Sequence, residues 1–161
     1  MSRRAAGASD IETLYAIYMH ETVNPYMGFD VCSMDEFDSI FSGLRSSGDL
    51  LVFEQANAII GVCHVLRREH RLRHVAYLGS LAVHPDFSGQ GMGRTILNSV
   101  LEMLHGEGFK RVELFVASDN SRAIGLFRSL GFRIEGTLRN FFSRGSAQEL
   151  FDEHVMALLY D

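Results

Sequence analysis

The sequence predicts an α/β or α+β fold on a mixed sheet. Three observations carry that expectation: two stretches near the start with helical spacing of apolar residues, two pairs of β-rich apolar runs joined by polar turns, and two strand-then-helix units. The chain has 161 residues, 47% hydrophobic and 22% charged, with two prolines. Such a chain can bury a full core without staples and is neither disordered nor low-complexity. One domain spanning 1–161 is expected, because no repeat and no linker-like stretch divides it.

Each element has a local reason. Ser9-Asp10-Ile11-Glu12 has a capping-box pattern and is expected to open a helix with Ile11, Leu14, Tyr15 and Tyr18 on one face. Pro25 blocks helix continuation through residues 24–28, so a loop is expected there. A second box, Ser33 to Glu36, opens a helix carrying Phe37, Ile40, Phe41 and Leu44, and Gly48 suits its exit. Residues 50–55 and 59–66, apolar and β-branched around Ala56-Asn57, read as a hairpin. The run 67–71 is a solvated turn. Residues 75–83 carry little polarity, which predicts a central strand covered on both faces.

A turn and glycine-rich loop follow at 84–93, then a helix with Ile96, Leu97, Val100, Leu101 and Leu104 that ends near Gly106. Residues 111–116 alternate, with Val112, Leu114 and Val116 on one face and Glu113 and Phe115 on the other. A helix from near Asn120 is expected to bury Ala123, Leu126, Phe127 and Leu130 and to stop at Gly131. Residues 132–138 and 151–159 are expected as two strands around a loop near Gly145.

Charge and cysteine content narrow the partners. Twenty acidic and fifteen basic side chains give a net charge of −5, which makes nucleic acid and anionic membrane poor default partners. Cys32 and Cys63 make no disulfide framework, which suggests a reducing compartment. The start, MSRRAAGASD, lacks the apolar stretch of a signal peptide, and no apolar run long enough to span a membrane occurs, so a soluble cytoplasmic protein is expected. His70 and His74 are four apart but sit in an arginine-rich turn without a third ligand, and no metal site is expected.

The loop at 88–93 has mechanical meaning. Glycines let backbone approach an anion closely, a helix N-terminus offers N–H groups and partial positive charge, and Arg94 adds a full charge in the first turn. The composition alone fits a pyrophosphate cradle or a plain strand-to-helix turn. A Rossmann fingerprint fits poorly, since Arg94 or Thr95 stands where the third glycine would be, and no Gly-Lys-Ser/Thr is present for a Walker loop.

Taken together, Leu81-Ala82-Val83-His84-Pro85, then Ser88-Gly89-Gln90-Gly91-Met92-Gly93, then Asn120, Ala123, Leu126-Phe127 and Gly131-Phe132 resemble the GNAT superfamily of N-acetyltransferases over nearly the whole chain. The resemblance implies a mixed, mostly antiparallel central sheet of six or seven strands with about four helices on its two faces. It implies acetyl-CoA as co-substrate, without a metal, with Gly89, Gln90, Gly91, Met92, Gly93 and Arg94 holding the pyrophosphate. The pantetheine arm would run beside Leu81, Ala82 and Val83, with the acetyl group where this strand splays from the next. The Leu81 N–H would stabilise the oxyanion. Asn120 and Phe127 would sit by the thioester end of the cofactor; Asn120 also reads as an ordinary helix N-cap, and both roles can coexist.

Three positions depart from the family pattern. Ser88 replaces the usual Arg or Gln, Phe127 the tyrosine that often protonates the thiolate, and Phe115 a glutamate that serves some members as general base. Tyr77 and Glu113 are the replacement candidates for proton transfer. Tyr77 also reads as a core tyrosine, and Glu113 as an ion-pair partner of Arg111 or Lys110. Asn24, Tyr26, Asp152 and His154 are candidates for the acceptor pocket, although Asp152 reads first as a structural partner of the 135–139 segment. The expected reaction is direct acetyl transfer to a primary amine of a small molecule, amino acid or peptide. Cys63 falls in a core strand, and Cys32, though close enough to a helix start to be activated, reads as an incidental thiol. The rival reading is a non-catalytic acyl-CoA-binding or sensing module. A homodimer is a further expectation of the resemblance.

Overall fold

The computed structural model describes all 161 residues, Met1–Asp161. Its strands are β1 (Ser2–Ala5), β2 (Asp49–Gln55), β3 (Ala58–Arg67), β4 (Val75–Val83), β5 (Arg111–Ala117), β6 (Arg133–Arg144) and β7 (Glu149–Leu159). Its α-helices are α1 (Ile11–Tyr18), α2 (Met34–Ser47), α3 (Met92–Gly106) and α4 (Ser121–Ser129). The seven strands form one sheet in the order β1-β2-β3-β4-β5-β7-β6, mostly antiparallel, with β4 and β5 parallel. This is the mixed α/β architecture expected. Contacts cluster into two compact units, Met1–Leu66 with Gly79–Ser99 and Arg67–Leu78 with Val100–Asp161. No helix is long and apolar enough to cross a membrane.

In the first unit the β2–β3 hairpin turns at Ala56 and Asn57, whose φ angles of 49° and 62° are those of a tight primed turn matching strand twist. The Ser33 box closes as expected: the Ser33 hydroxyl accepts from the Glu36 N–H at 3.3 Å, and the Glu36 carboxylate accepts from the Ser33 N–H at 2.8 Å. Gly48 does end α2, but through extended backbone rather than a left-handed cap. The reason for glycine is space, since a Cβ there would lie 2.6 Å from the Val65 carbonyl. Leu14, Ile17, Tyr18, Phe37, Phe41, Leu50, Val52, Val62 and Ala82 bury a common core.

One expectation fails here, and one strand has no counterpart in the sequence reading. The Ser9 box does not form: α1 begins at Ile11 with Asp10 before it and no side-chain cap. The Asp10 carboxylate instead accepts from the Gly7 N–H at 2.7 Å and from both terminal nitrogens of Arg4, at 2.7 and 2.9 Å. That tertiary charge pair outcompetes the local cap. The same pair explains β1, which went unforeseen because Ser2-Arg3-Arg4-Ala5 has no apolar pattern. It is an exposed edge strand held by pairing with Ala5 opposite Leu51 and by Arg4, which also reaches Glu54 at 2.8 Å.

Asp10 makes acid stability testable. Its hydrogen bonds from Arg4 hold the carboxyl below the usual range, against the opposing effect of burial. A depressed folded-state pKa contributes stability that is present above the unfolded pKa, near 4, and is lost as pH falls through the folded value. Asp10→Asn is expected to lower unfolding free energy by about 1–3 kcal/mol at pH 7, with the gap to the parent narrowing below about pH 4. Urea unfolding at pH 7 and pH 3 checks this; a gap independent of pH would remove the charge pair as its cause.

In the second unit β5 alternates as read, with Val112, Leu114 and Val116 buried. α4 buries Ile124 and Phe127, while Ala123, Leu126 and Leu130 are only half-buried, so the buried face is rotated from the expected one. The closing hairpin is longer than expected because β6 tolerates two irregularities, between Ile134 and Gly136 and between Leu138 and Phe142, and resumes pairing beyond each.

Candidate functional site

In the first unit, β4 ends at Val83 and α3 begins at Met92 after a 3₁₀ turn, Pro85–Phe87. Between them Gly89 and Gly91 adopt φ of 79° and 81°, a conformation L side chains rarely accept. Residues 88–91 are exposed, and a Cβ on Gly91 would meet nothing within 4 Å. The Gln90 side chain donates to the Asp86 carbonyl at 2.9 Å, and the Thr95 N–H donates to the Gly91 carbonyl at 3.2 Å, closing the first turn. The N–H groups of Met92, Gly93 and Arg94 therefore lie ahead of the first intrahelical bond, at the positive end of a 15-residue helix. An anion fits this loop: open space above glycine, backbone donors and Arg94 in the first turn.

Upstream, Leu81 and Val83 are half-buried and Ala82 is buried. Ser80 has φ of 47° inside a strand. The sequence carries no sign of it, since a serine in the left-handed region is seldom chosen by local preference. Its carbonyl accepts from the Tyr18 hydroxyl at 2.7 Å.

The Asn24 amide is committed to the chain itself, donating to the Tyr18 and Phe29 carbonyls at 3.1 and 3.3 Å. Tyr26 is exposed on the same 3₁₀ turn, Asn24–Tyr26. Neither thiol is poised to react. Burial pushes Cys63 up to about 12, and partial burial with the Glu36 and Asp30 carboxylates raises Cys32, the reverse of activation by a helix start.

In the second unit, strand register sorts side chains by face, because directly opposed residues share one. Tyr77 opposes Glu113, Glu113 opposes Ala157, Phe115 opposes Val155, and Ala117 opposes Glu153. Tyr77, Glu113, Phe115 and Glu153 therefore line one face. Tyr77 and Phe115 pack edge-to-face at 5.5 Å, and Phe141 continues the row against Phe115 at 5.8 Å. Glu113 is engaged by Arg111 at 3.1 Å and Arg68 at 3.5 Å; Arg111, as expected, is a partner, while the Lys110 ammonium reaches the Asp161 carbonyl instead. Tyr77 titrates above its ordinary range, chiefly through burial and next through Glu153.

Glu153 went unnoticed in the sequence. It is half-buried, and burial pushes its carboxyl above the usual range against the pull of Arg144. Only the β5–β7 register reveals it: Asp152 and His154 alternate to the opposite face. There Asp152 accepts from the Asn140 N–H at 2.8 Å, and His154 meets Thr137 at 2.9 Å. Asp152 thus pairs with Asn140, one residue outside the 135–139 segment expected to partner it.

Asn120 caps α4, its Oδ1 accepting from the Ala123 N–H at 3.2 Å, while its own N–H donates to the Ala117 carbonyl at 2.9 Å. The side-chain NH₂ keeps its two donors on the other side of the amide. Phe127 is buried, its ring 5.8 Å from Phe132.

A family model described as Acetyltransferase (GNAT) family matches residues 11–132. The ribosomal protein bS18-alanine N-acetyltransferase of Escherichia coli K12 is 36% identical over 83 residues, 52% of this chain and 55% of that protein. A mycothiol acetyltransferase of Actinosynnema mirum is 32% identical over 87 residues, 54% of this chain and 28% of that protein. The chain thus spans about half the length, or less, of these curated relatives. Among solved structures, the Escherichia coli S18-alanine enzyme superposes with a TM-score of 0.76 at 23% identity, covering 98% of this chain and 92% of that one. A Salmonella typhimurium protein solved with its cofactor acetyl-CoA gives 0.76 at 22% identity, covering 100% and 94%. These likenesses carry the fold.

Proposed function

The chain belongs to the acetyltransferase (GNAT) family, and on that premise we propose that it transfers an acetyl group from acetyl-CoA to a primary amine of a small molecule, amino acid or peptide. The observation that supports this most is the run from the kinked end of β4 through two left-handed glycines into α3. Its backbone donors suit a pyrophosphate. In this reading Gly89, Gln90, Gly91, Met92, Gly93 and Arg94 hold the phosphates. Leu81, Ala82 and Val83 lie beside the pantetheine arm, as an added strand would. The NH₂ of Asn120 donates to the thioester end while its oxygen caps α4, and Phe127 packs there without moving a proton.

The chemistry is direct transfer. An ammonium acceptor gives a proton to a carboxylate, the freed amine nitrogen bonds to the acetyl carbon, and the carbonyl oxygen gains negative charge opposite the Leu81 N–H. Collapse breaks the carbon–sulfur bond, and the thiolate takes a proton from the new ammonium nitrogen, leaving amide and free CoA. Glu153 is the carboxylate best suited to the first step, since Glu113 is held by two guanidinium groups and Tyr77 titrates too high to accept a proton. Tyr77 and Phe115 then form the apolar wall beside it. Tyr26 is the acceptor-side candidate that the first unit leaves exposed.

The test is thiol release from acetyl-CoA with an amine panel: an alanine-terminated peptide, spermidine and free amino acids. Release above background with one of them is expected. Gly91→Glu places bulk, a charge and a strained φ beside the phosphates, so CoA affinity is expected to fall at least tenfold, about 1.4 kcal/mol, in a folded protein. Unchanged affinity in folded Gly91→Glu overturns the loop assignment. CoA binding without thiol release for every amine leaves a sensing module instead.

A further inference from the structure

Tyr18 is the last residue of α1 and is fully buried, its ring 5.4 Å from Phe29 at 89° and 6.1 Å from Phe37. Its hydroxyl crosses 62 positions of sequence to donate to the Ser80 carbonyl at 2.7 Å. Burial keeps the phenol protonated far above neutral pH, so it is a permanent donor. The acceptor belongs to a residue in a costly conformation, a non-glycine in the left-handed region.

The Ser80 carbonyl and the Leu81 N–H belong to one peptide unit. The unit is planar and trans, so its N–H points opposite to its C=O. A hydroxyl that fixes the carbonyl therefore also fixes the direction of the Leu81 N–H. We propose that Tyr18 is a positioning residue for catalysis: its hydroxyl aims the Leu81 N–H at the oxygen that becomes negatively charged during acetyl transfer. This rests on the acetyl-transfer reading above. An oxyanion donor works only when held in place before charge develops, and a peptide plane in a kinked strand end can otherwise rock about its flanking bonds. The Asn24 amide, bonded to the Tyr18 and Phe29 carbonyls, holds the end of α1 from which the hydroxyl reaches.

Two variants separate aim from stability. Tyr18→Phe keeps the ring among its aromatic neighbours and removes one oxygen. With the best amine of the panel, kcat is expected to fall at least tenfold while KM for acetyl-CoA stays within about twofold. Adding Ser80→Gly relieves the left-handed strain, so the double variant is expected to regain melting temperature but not kcat. Recovery of kcat together with stability, or an unchanged kcat in folded Tyr18→Phe, overturns the positioning role. A parent protein that releases no thiol with any amine overturns the acetyl-transfer reading itself, a distinct result.

Discussion

Glu153→Gln is expected to lower kcat/KM for the amine by about 10²-fold or more at neutral pH, within the 10²–10⁴ range of a positioned acid or base. The substitution preserves shape and removes only the ability to take a proton. Burial raises the Glu153 carboxyl, which moves it towards the neutral range where a base accepts and releases protons readily. The groups sharing its face or acting on it are Tyr77 on β4, Glu113 on β5 and Arg144 on β6, with Arg68 over the Tyr77 ring at 5.7 Å. Of these, Arg144 opposes the rise. The parent should lose activity on acidification as Glu153 protonates. The variant should instead gain activity steadily with pH, as solution deprotonates the amine for it. CoA affinity should not change. An unaltered rate and pH profile in folded Glu153→Gln would return the proton to Glu113 or water.

What the sequence made legible was local. The Ser33–Glu36 box, the Ala56-Asn57 turn and the glycine loop each declare themselves within ten residues; the structure forms the box and the turn as read and gives the loop two left-handed glycines. β1 and the Asp10 network were hidden because their energy is tertiary: four exposed residues become a strand only when Arg4 finds Asp10 and Glu54. Glu153 was hidden for a related reason. Asp152, Glu153 and His154 are consecutive polar residues, and alternation within a strand cannot say which face is which until β5 sets the register. The Ser80 kink leaves no trace at all, since the residue that holds it is 62 positions away.

Phe37→Ala should show how far the first unit's aromatic cluster supports that kink. Phe37 is fully buried on α2, with rings of Tyr15 at 5.5 Å, Tyr18 at 6.1 Å, Phe41 at 6.2 Å and Phe29 at 6.4 Å around it. Truncation removes the central ring and leaves a cavity that four stiff aromatics cannot collapse into, so the cost should fall at about 3–5 kcal/mol. For a chain of this size that corresponds to a melting temperature lower by roughly 10 °C. The Tyr18 ring would lose one wall, and its hydroxyl would hold the Ser80 carbonyl less firmly. Turnover per folded molecule should therefore fall as well, in the same direction as in Tyr18→Phe. Phe37→Leu, which refills most of the volume, should recover most of both losses. A stability loss below about 1 kcal/mol would mean that the cluster repacks freely. Full stability loss with unchanged turnover per folded molecule would mean that the Tyr18 hydroxyl holds the peptide without help from the rings around it.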